Sequence, residues 1–166
     1  MYGCSSGADA VAYIHGGWDV PKLWGEVRFF QESGGVLIVA EISGLPEDNG
    51  TGFFGLHIHE GDACAGEAFS ATGSHYDPTG EMHPMHAGDL PPLLRCRGGA
   101  YLAVRTDRFH LEEIIGRTVL IHSRPDDFQS QPAGNAGMKI GCGVIVKRDR
   151  LHQGKRKSCQ KCGRKL

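Results

Sequence analysis

The sequence contains no long apolar run. No apolar stretch among its 166 residues approaches the roughly eighteen residues that a membrane-spanning helix needs, so no membrane span is expected. The first residues also lack a basic start followed by an apolar stretch, so no secretory signal is visible. We therefore expect a cytoplasmic protein, with a periplasmic or secreted location as the alternative.

Basic residues are scarce over most of the chain. Residues 1–145 carry eighteen acidic residues against nine Lys and Arg residues, whereas residues 146–166 carry nine basic residues and one acidic residue, Asp149. We predict a single domain over residues 1–147 and a basic, disordered tail over residues 148–166. The charge of this tail would suit nucleic acid, an anionic membrane surface or the acidic body of the protein itself, or it would simply aid solubility.

Glycine and proline are plentiful, and short apolar segments lie between them. The 25 glycines and 8 prolines favour strands joined by turns over long helices. Only one helical turn is predicted, at residues 111–115. Turn signals separate eight predicted strands, which indicates an all-β antiparallel sandwich or barrel. These strands cover residues 9–15, 22–32, 36–43, 53–59, 93–97, 100–106, 117–122 and 142–147.

Two of the turns are predicted to close hairpins. Residues 33–35 separate the second and third predicted strands, and Gly98 and Gly99 separate the fifth and sixth. The long loop between the fourth and fifth strands is expected to reach Pro92.

Residues 53–89 hold a dense group of candidate metal ligands, with five histidines in 37 positions. His57 and His59 are two residues apart, so an extended strand would place both imidazoles on one face. A loop rich in glycine and proline follows, and a bound metal ion would hold such a loop in one shape. This loop carries further candidates: His75, His83, His86 and Asp89.

The types of these ligands narrow the choice of metal. Imidazoles with a carboxylate suit zinc and copper better than calcium or magnesium, which prefer oxygen ligands. Six candidates exceed the four ligands of one tetrahedral ion, so we expect two ions. The HxH pair alone would more often be the polar face of an ordinary strand, but the further ligands favour a metal site.

Five motifs occur in order along residues 9–147: GFFGLHIHEGDAC, GSHYDP, HPMHAGDLPPL, VLIHSRPDD and GNAGMKIGCGVI. Together they resemble the copper/zinc superoxide dismutase family, and the loops look short, as in its bacterial members. The resemblance implies an eight-stranded Greek-key barrel with an immunoglobulin-like sandwich architecture. It also implies copper and zinc as cofactors and superoxide as substrate. The implied reaction converts superoxide to dioxygen and hydrogen peroxide by redox cycling of copper, with zinc in a structural role.

The resemblance also implies a ligand set for each metal. Copper would take His57, His59, His75 and His122. Zinc would take His75, His83, His86 and Asp89. His75 would then bridge both ions as an imidazolate and act as the general acid toward the nascent peroxide. Asp126 matches the family's carboxylate that links a copper ligand to a zinc ligand, here His57 and His83.

Lys139 stands where the family usually has arginine beside the copper. A fixed cation at that place attracts superoxide and positions it. Lysine keeps the charge but lacks the planar fork of arginine, so we expect a slower enzyme with an unchanged reaction.

The six cysteines fall into three groups. Cys64 and Cys142 match the internal disulfide of the family, although a cytoplasmic compartment works against disulfides. The tail carries a CxxC pair, which is a weak metal-binding signal and would suit transient copper capture. Two cysteines have no assigned partner and are expected to be free thiols: Cys4 and Cys96.

Three other functions fit parts of the sequence. A copper carrier or metal store on the same fold would use the CxxC pair, but it would not need Asp126 or a cation at Lys139. A binuclear zinc hydrolase would also use HxH, but Gly61 replaces the aspartate of the HxHxDH pattern, and a TIM-barrel amidohydrolase needs about 250 residues. A non-enzymatic binding module would keep metals only for structure. A second copy of the chain, as in a homodimer, and a copper donor are further candidate partners. The sequence shows no interface motif for either.

Overall fold

The computed structural model describes residues 7–47 and 49–148. The predictions for Cys4, for the CxxC pair and for the tail beyond Arg148 fall outside these residues. Within the described ranges, no helix has both the length and the apolar character to cross a bilayer.

Eight antiparallel strands form one sheet that curls into a nearly closed barrel, which confirms the predicted all-β fold. The strands are β1 (Ala10–Gly16), β2 (Trp24–Glu32), β3 (Gly35–Ser43), β4 (Phe53–His59), β5 (Asp89–Leu94), β6 (Gly99–Thr106), β7 (Thr118–His122) and β8 (Lys139–Lys147). Their order across the sheet is β5-β4-β7-β8-β1-β2-β3-β6. Strands β3 and β4, and likewise β6 and β7, are consecutive in the chain but not neighbours in the sheet, as in a Greek key.

Side-chain alternation places the core inside the barrel. In β3 the buried positions alternate with less buried ones, because one face of the strand meets the core. Burying each such aliphatic side chain contributes roughly 1.5–3 kcal/mol. By contrast, β7 is buried at every position and β4 at all but its first, because loops cover the outer face of these two strands. The outer face of β4 is the one that carries the HxH pair.

Two strands begin earlier in the chain than the sequence predicts. Strand β5 starts at Asp89 and includes Pro91 and Pro92, which the sequence analysis assigned to the loop. Prolines are tolerated there because β5 is an edge strand that pairs only with β4. Strand β8 starts at Lys139, three residues before the predicted start.

One of the two predicted hairpins is wrong. Strands β2 and β3 form the first hairpin, with Glu32 opposite Gly35. At the second, Cys96 and Gly99 exchange backbone hydrogen bonds of 2.7 and 3.1 Å around Arg97 and Gly98, but the pairing stops there. Strand β5 pairs with β4, and β6 pairs with β3, so this turn joins the two edges of the sheet.

Two short helices complete the fold of the described residues. Helix α1 (Leu111–Ile114) lies at the predicted helical turn. A 3-10 helix at Glu67–Thr72 lies inside the metal-ligand loop and was not predicted. Its Phe69 packs against Leu120 and Cys142, and a disulfide joins Cys64 to Cys142 with a Cα–Cα distance of 5.7 Å. The loop is therefore attached to β7 and β8 beside the candidate site.

Candidate metal centre

Four histidines form the first group, and all four side chains are buried. Strand β4 supplies His57 and His59 from one face, and His122 comes from the end of the neighbouring strand β7. His75 comes from the loop, which runs beside β4 through a bridge between His59 and His75. One ligand atom from each residue lies within 4.8 Å of the others, a spacing that suits one metal ion.

The second group shares His75 with the first and adds His83, His86 and Asp89, again within 4.8 Å. Asp89 is the first residue of β5 and pairs with His57 across the ladder, so the sheet places the two groups side by side. The Oδ2 atom of Asp89 accepts the backbone N–H of His86 at 3.1 Å, which folds the loop around the carboxylate. The structure thus brings together every predicted ligand.

The protein holds one ring nitrogen of each of the three strand histidines in the first group and leaves the other facing inward. His57 Nε2 donates to Asp126 Oδ2 at 2.9 Å, His59 Nδ1 to Gly73 O at 3.0 Å, and His122 Nδ1 to Gly137 O at 3.4 Å. The opposite nitrogens of His59 and His122 face each other at 3.3 Å. These hydrogen bonds fix the tautomer in which the inward nitrogen has a free lone pair.

Several buried ring nitrogens of the described residues have no hydrogen-bond partner, namely His57 Nδ1, His75 Nε2, His83 Nδ1 and His86 Nδ1. Buried polar atoms without a partner are rare in native proteins and call for an explanation. His83 Nδ1 and His86 Nδ1 lie 3.1 and 3.2 Å from Asp89 Oδ2, but not in hydrogen-bonding geometry. Their lone pairs instead lie beside the carboxylate, and the ligand atoms of each group lie within 4.8 Å of one another, so the residues fit a metal ion in both groups.

Asp126 connects the two groups. Its Oδ2 accepts from His57 of the first group, and its Oδ1 accepts from His83 Nε2 of the second, both at 2.9 Å. Burial alone would raise the pKa of this carboxyl, but hydrogen bonds from His57, the Phe128 N–H and His83 lower it to about 2. Gly134 leaves room for Asp126, because a Cβ at this positive-φ residue would lie 2.0 Å from Asp126 Oδ1.

Burial keeps three histidines of the first group neutral. Desolvation lowers the pKa of His57, and it lowers the pKa of His59 to about 2 and that of His122 to about 3. A neutral imidazole has the free lone pair that a metal ion needs. These three histidines therefore do not have to lose protons at neutral pH before they bind a metal.

Lys139 lies beside the first group, at the start of β8. Its Nζ donates to Thr72 Oγ1 at 2.8 Å and to Gly73 O at 2.9 Å. Burial lowers the pKa of Lys139. Burial is the main cause that lowers the pKa of His59 and His122, and the positive charge of Lys139 lowers both pKa values further. The charge of Lys139 therefore acts on both histidines.

The residues that orient these side chains were not predicted from the sequence. The carbonyl groups of Gly73 and Gly137 hold two histidines, and the Thr72 hydroxyl holds Lys139. Carbonyl acceptors have no sequence signal beyond the glycines of the GSHYDP and GNAG motifs. The disulfide was predicted and is present, and Cys96 is an exposed free thiol.

Comparisons with known proteins agree with this geometry. A family model described as copper/zinc superoxide dismutase (SODC) matches residues 23–145. The chain is 34% identical over 139 residues to "Superoxide dismutase [Cu-Zn] 2" of Aquifex aeolicus (strain VF5), covering 75% of this chain and 80% of that protein. It is 34% identical over 145 residues to "Superoxide dismutase [Cu-Zn]" of Legionella pneumophila, covering 82% and 86%. It is 36% identical over 154 residues to "Superoxide dismutase [Cu-Zn] 3" of Arabidopsis thaliana, covering 82% and 88%. The chain therefore belongs to the copper/zinc superoxide dismutase family.

Proposed function

We propose that this protein disproportionates superoxide, with each metal held by one of the two histidine groups. Two superoxide ions and two protons yield one dioxygen and one hydrogen peroxide. The strongest support comes from buried ring nitrogens that have no hydrogen-bond partner. They lie in two groups of candidate ligands, and His75 belongs to both groups. Copper in the first group would supply one-electron redox chemistry, and zinc in the second would supply a fixed charge.

Three residues of the first group would hold copper through neutral imidazoles. His57, His59 and His122 each have a protein acceptor on the far side of the ring, so their inward lone pairs are fixed in direction. The second group has a different composition, with a carboxylate among its ligands. Asp89 adds a negative charge there, which suits zinc.

His75 is the residue that we propose as proton donor. Its Nδ1 lies 2.6 Å from Asp89 Oδ1, and its Nε2 reaches the first group without a hydrogen-bond partner. A ring held from the Nδ1 side can take a proton at Nε2 and release it there to the product peroxide. The ring thereby serves both groups without having to move between them.

Lys139 is the residue that we propose to attract the substrate. Superoxide is a small anion, and residues 1–145 carry more acidic than basic residues, so a cation next to the histidines raises the local anion concentration. The ammonium is half-buried and held at two acceptors, which keeps its charge near the site.

Stopped-flow measurement of superoxide decay with the copper- and zinc-loaded protein tests this function directly. We expect a fast rate that His122→Ala abolishes, because this change removes one ring from the first group. His110→Asn is the matched control, since His110 is exposed at the start of α1 and asparagine is a good helix cap. If the wild-type protein with both metals bound were no faster than free copper, the proposed function would be contradicted. The alternative of a copper carrier would then be favoured.

Further partners are proposals based on the sequence. The CxxC cysteines would suit copper(I) as thiolates, and they would receive it from a copper donor. A second copy of the chain and an anionic partner for the basic tail are also proposals, as is the cytoplasmic location. None of these is needed for the chemistry at the histidine groups.

A further inference from the structure

Thr72 ends the 3-10 helix of the loop, and its side chain is fully buried at 0% exposure. Its hydroxyl donates to Phe69 O at 2.7 Å and accepts from Lys139 Nζ at 2.8 Å. A threonine hydroxyl has one proton, so donation to Phe69 leaves only lone pairs for Lys139. The hydroxyl is therefore oriented as an acceptor for the ammonium group.

The next residue supplies a second acceptor. Gly73 O accepts from Lys139 Nζ at 2.9 Å and also from His59 Nδ1 at 3.0 Å. An ammonium group has three N–H donors, so two are used by Thr72 and Gly73 and one is left. Lysine is a point charge on a flexible stem, and two fixed acceptors on consecutive residues give that charge a direction.

The segment that carries these acceptors is itself anchored. Phe69 packs against Leu120 and Cys142, and the disulfide from Cys64 ends at the same place. Phe69 has a positive φ of 58°, and the Thr72 hydroxyl closes this turn by bonding the Phe69 carbonyl. The position of the Thr72 hydroxyl is thus set by packing as well as by its hydrogen bonds.

We propose that Thr72 is a positioning residue for anion binding. Together with Gly73, it holds Lys139 so that the remaining N–H of the ammonium is available to a small anion at the first histidine group. The proposal rests on the role of Lys139 in the proposed function and adds a residue to it. A side-chain acceptor is needed here because the cation is a lysine, which lacks the rigid fork of arginine.

Azide affinity of the copper- and zinc-loaded full chain tests this assignment without measuring turnover. Azide is a small anion, and its binding to copper(II) is followed by an optical titration. We expect Thr72→Val, which keeps the shape but removes the acceptor, to weaken azide binding by about three- to tenfold. Thr72→Ser keeps the hydroxyl and should stay within about twofold of the wild type.

A double-mutant cycle separates positioning from general damage to the site. In a Lys139→Met background, Thr72→Val should have no further effect on azide affinity, because the group that it positions is gone. An equal loss with and without Lys139, or wild-type affinity in Thr72→Val, would overturn the assignment. Thr72→Ala is measured in the same cycle in case the valine variant does not fold, with metal content and thermal unfolding recorded for each protein.

The same proteins distinguish this assignment from the proposed function. If the wild type does not dismutate superoxide but its azide affinity depends jointly on Thr72 and Lys139, the function is wrong and the positioning role stands. If Lys139→Met slows dismutation while Thr72→Val leaves azide affinity unchanged, the function stands and the positioning role is wrong.

Discussion

At the scale of single residues, Asp126 is the side chain that connects the two metal groups. Its two carboxylate oxygens each accept from a histidine of a different metal group, and Oδ1 also accepts the Phe128 N–H. Because a carboxylate accepts on both oxygens, it fixes the tautomers of His57 and His83 together. No neutral side chain of the same size offers two equivalent acceptors.

Asp126→Asn should therefore weaken metal binding in at least one of the two groups while preserving the shape of the side chain. The amide NH2 would face a histidine N–H, so one of the two rings would lose its acceptor. We expect copper or zinc affinity to fall by about ten- to a hundredfold, measured by competition with a chelator. Asp127→Asn is the matched control, because Asp127 caps its own turn at Ser130 and contacts neither group. Equal affinities in both variants would contradict this role of Asp126.

At the scale of elements, strands were easier to predict than the loop. Alternation in residues 53–59 placed both histidines of the HxH pair on one face, and β4 has this arrangement. Strand β5 was not predicted at its prolines, because proline is tolerated only in an edge strand. That β5 lies at an edge becomes apparent only from the assembled sheet. The contact between Thr72 and Lys139 joins residues 67 positions apart, so no local pattern could reveal it.

The disulfide between the loop and β8 gives a prediction for the loop as an element. Replacing Cys64 by serine removes a crosslink between residues 78 positions apart, which should lower the free energy of unfolding by about 4 to 5 kcal/mol on the chain-entropy estimate. Urea unfolding under oxidising conditions measures this difference. Cys96→Ser is the control, since Cys96 is exposed and unpaired, and it should leave stability unchanged. A Cys64→Ser protein as stable as the control would show that packing of Phe69 alone holds the loop.

At the scale of the whole molecule, the metal-free protein buries several neutral histidines between the barrel wall and its loops. An unfolded histidine takes up a proton near pH 6.5, whereas folded His59 and His122 do so only near pH 2 and pH 3. Between these values the unfolded chain binds more protons than the folded chain. The stabilising effect of keeping these rings neutral is thus complete above pH 6.5 and is lost progressively on acidification.

We expect the metal-free protein to lose stability from about pH 6.5 downward, by up to about 1.4 kcal/mol per pH unit for each of these histidines. The depressed pKa of Asp126 adds to this loss only below about pH 4, where the unfolded carboxyl begins to protonate. Urea unfolding of the metal-free protein between pH 7 and pH 4.5 measures the slope. His122→Gln should give a shallower slope, and an unchanged slope would contradict the assignment.

The sharing of His75 and Asp126 between the two groups has a thermodynamic consequence. An ion that orders either residue in one group prepares that residue for the other group, so the two binding equilibria are coupled. Coupling of this kind is reciprocal, so the factor by which zinc changes the affinity for copper equals the factor by which copper changes the affinity for zinc. Where that factor exceeds one, a half-filled centre is disfavoured relative to a full or an empty one, so the shared residues set a preferred composition as well as a preferred geometry.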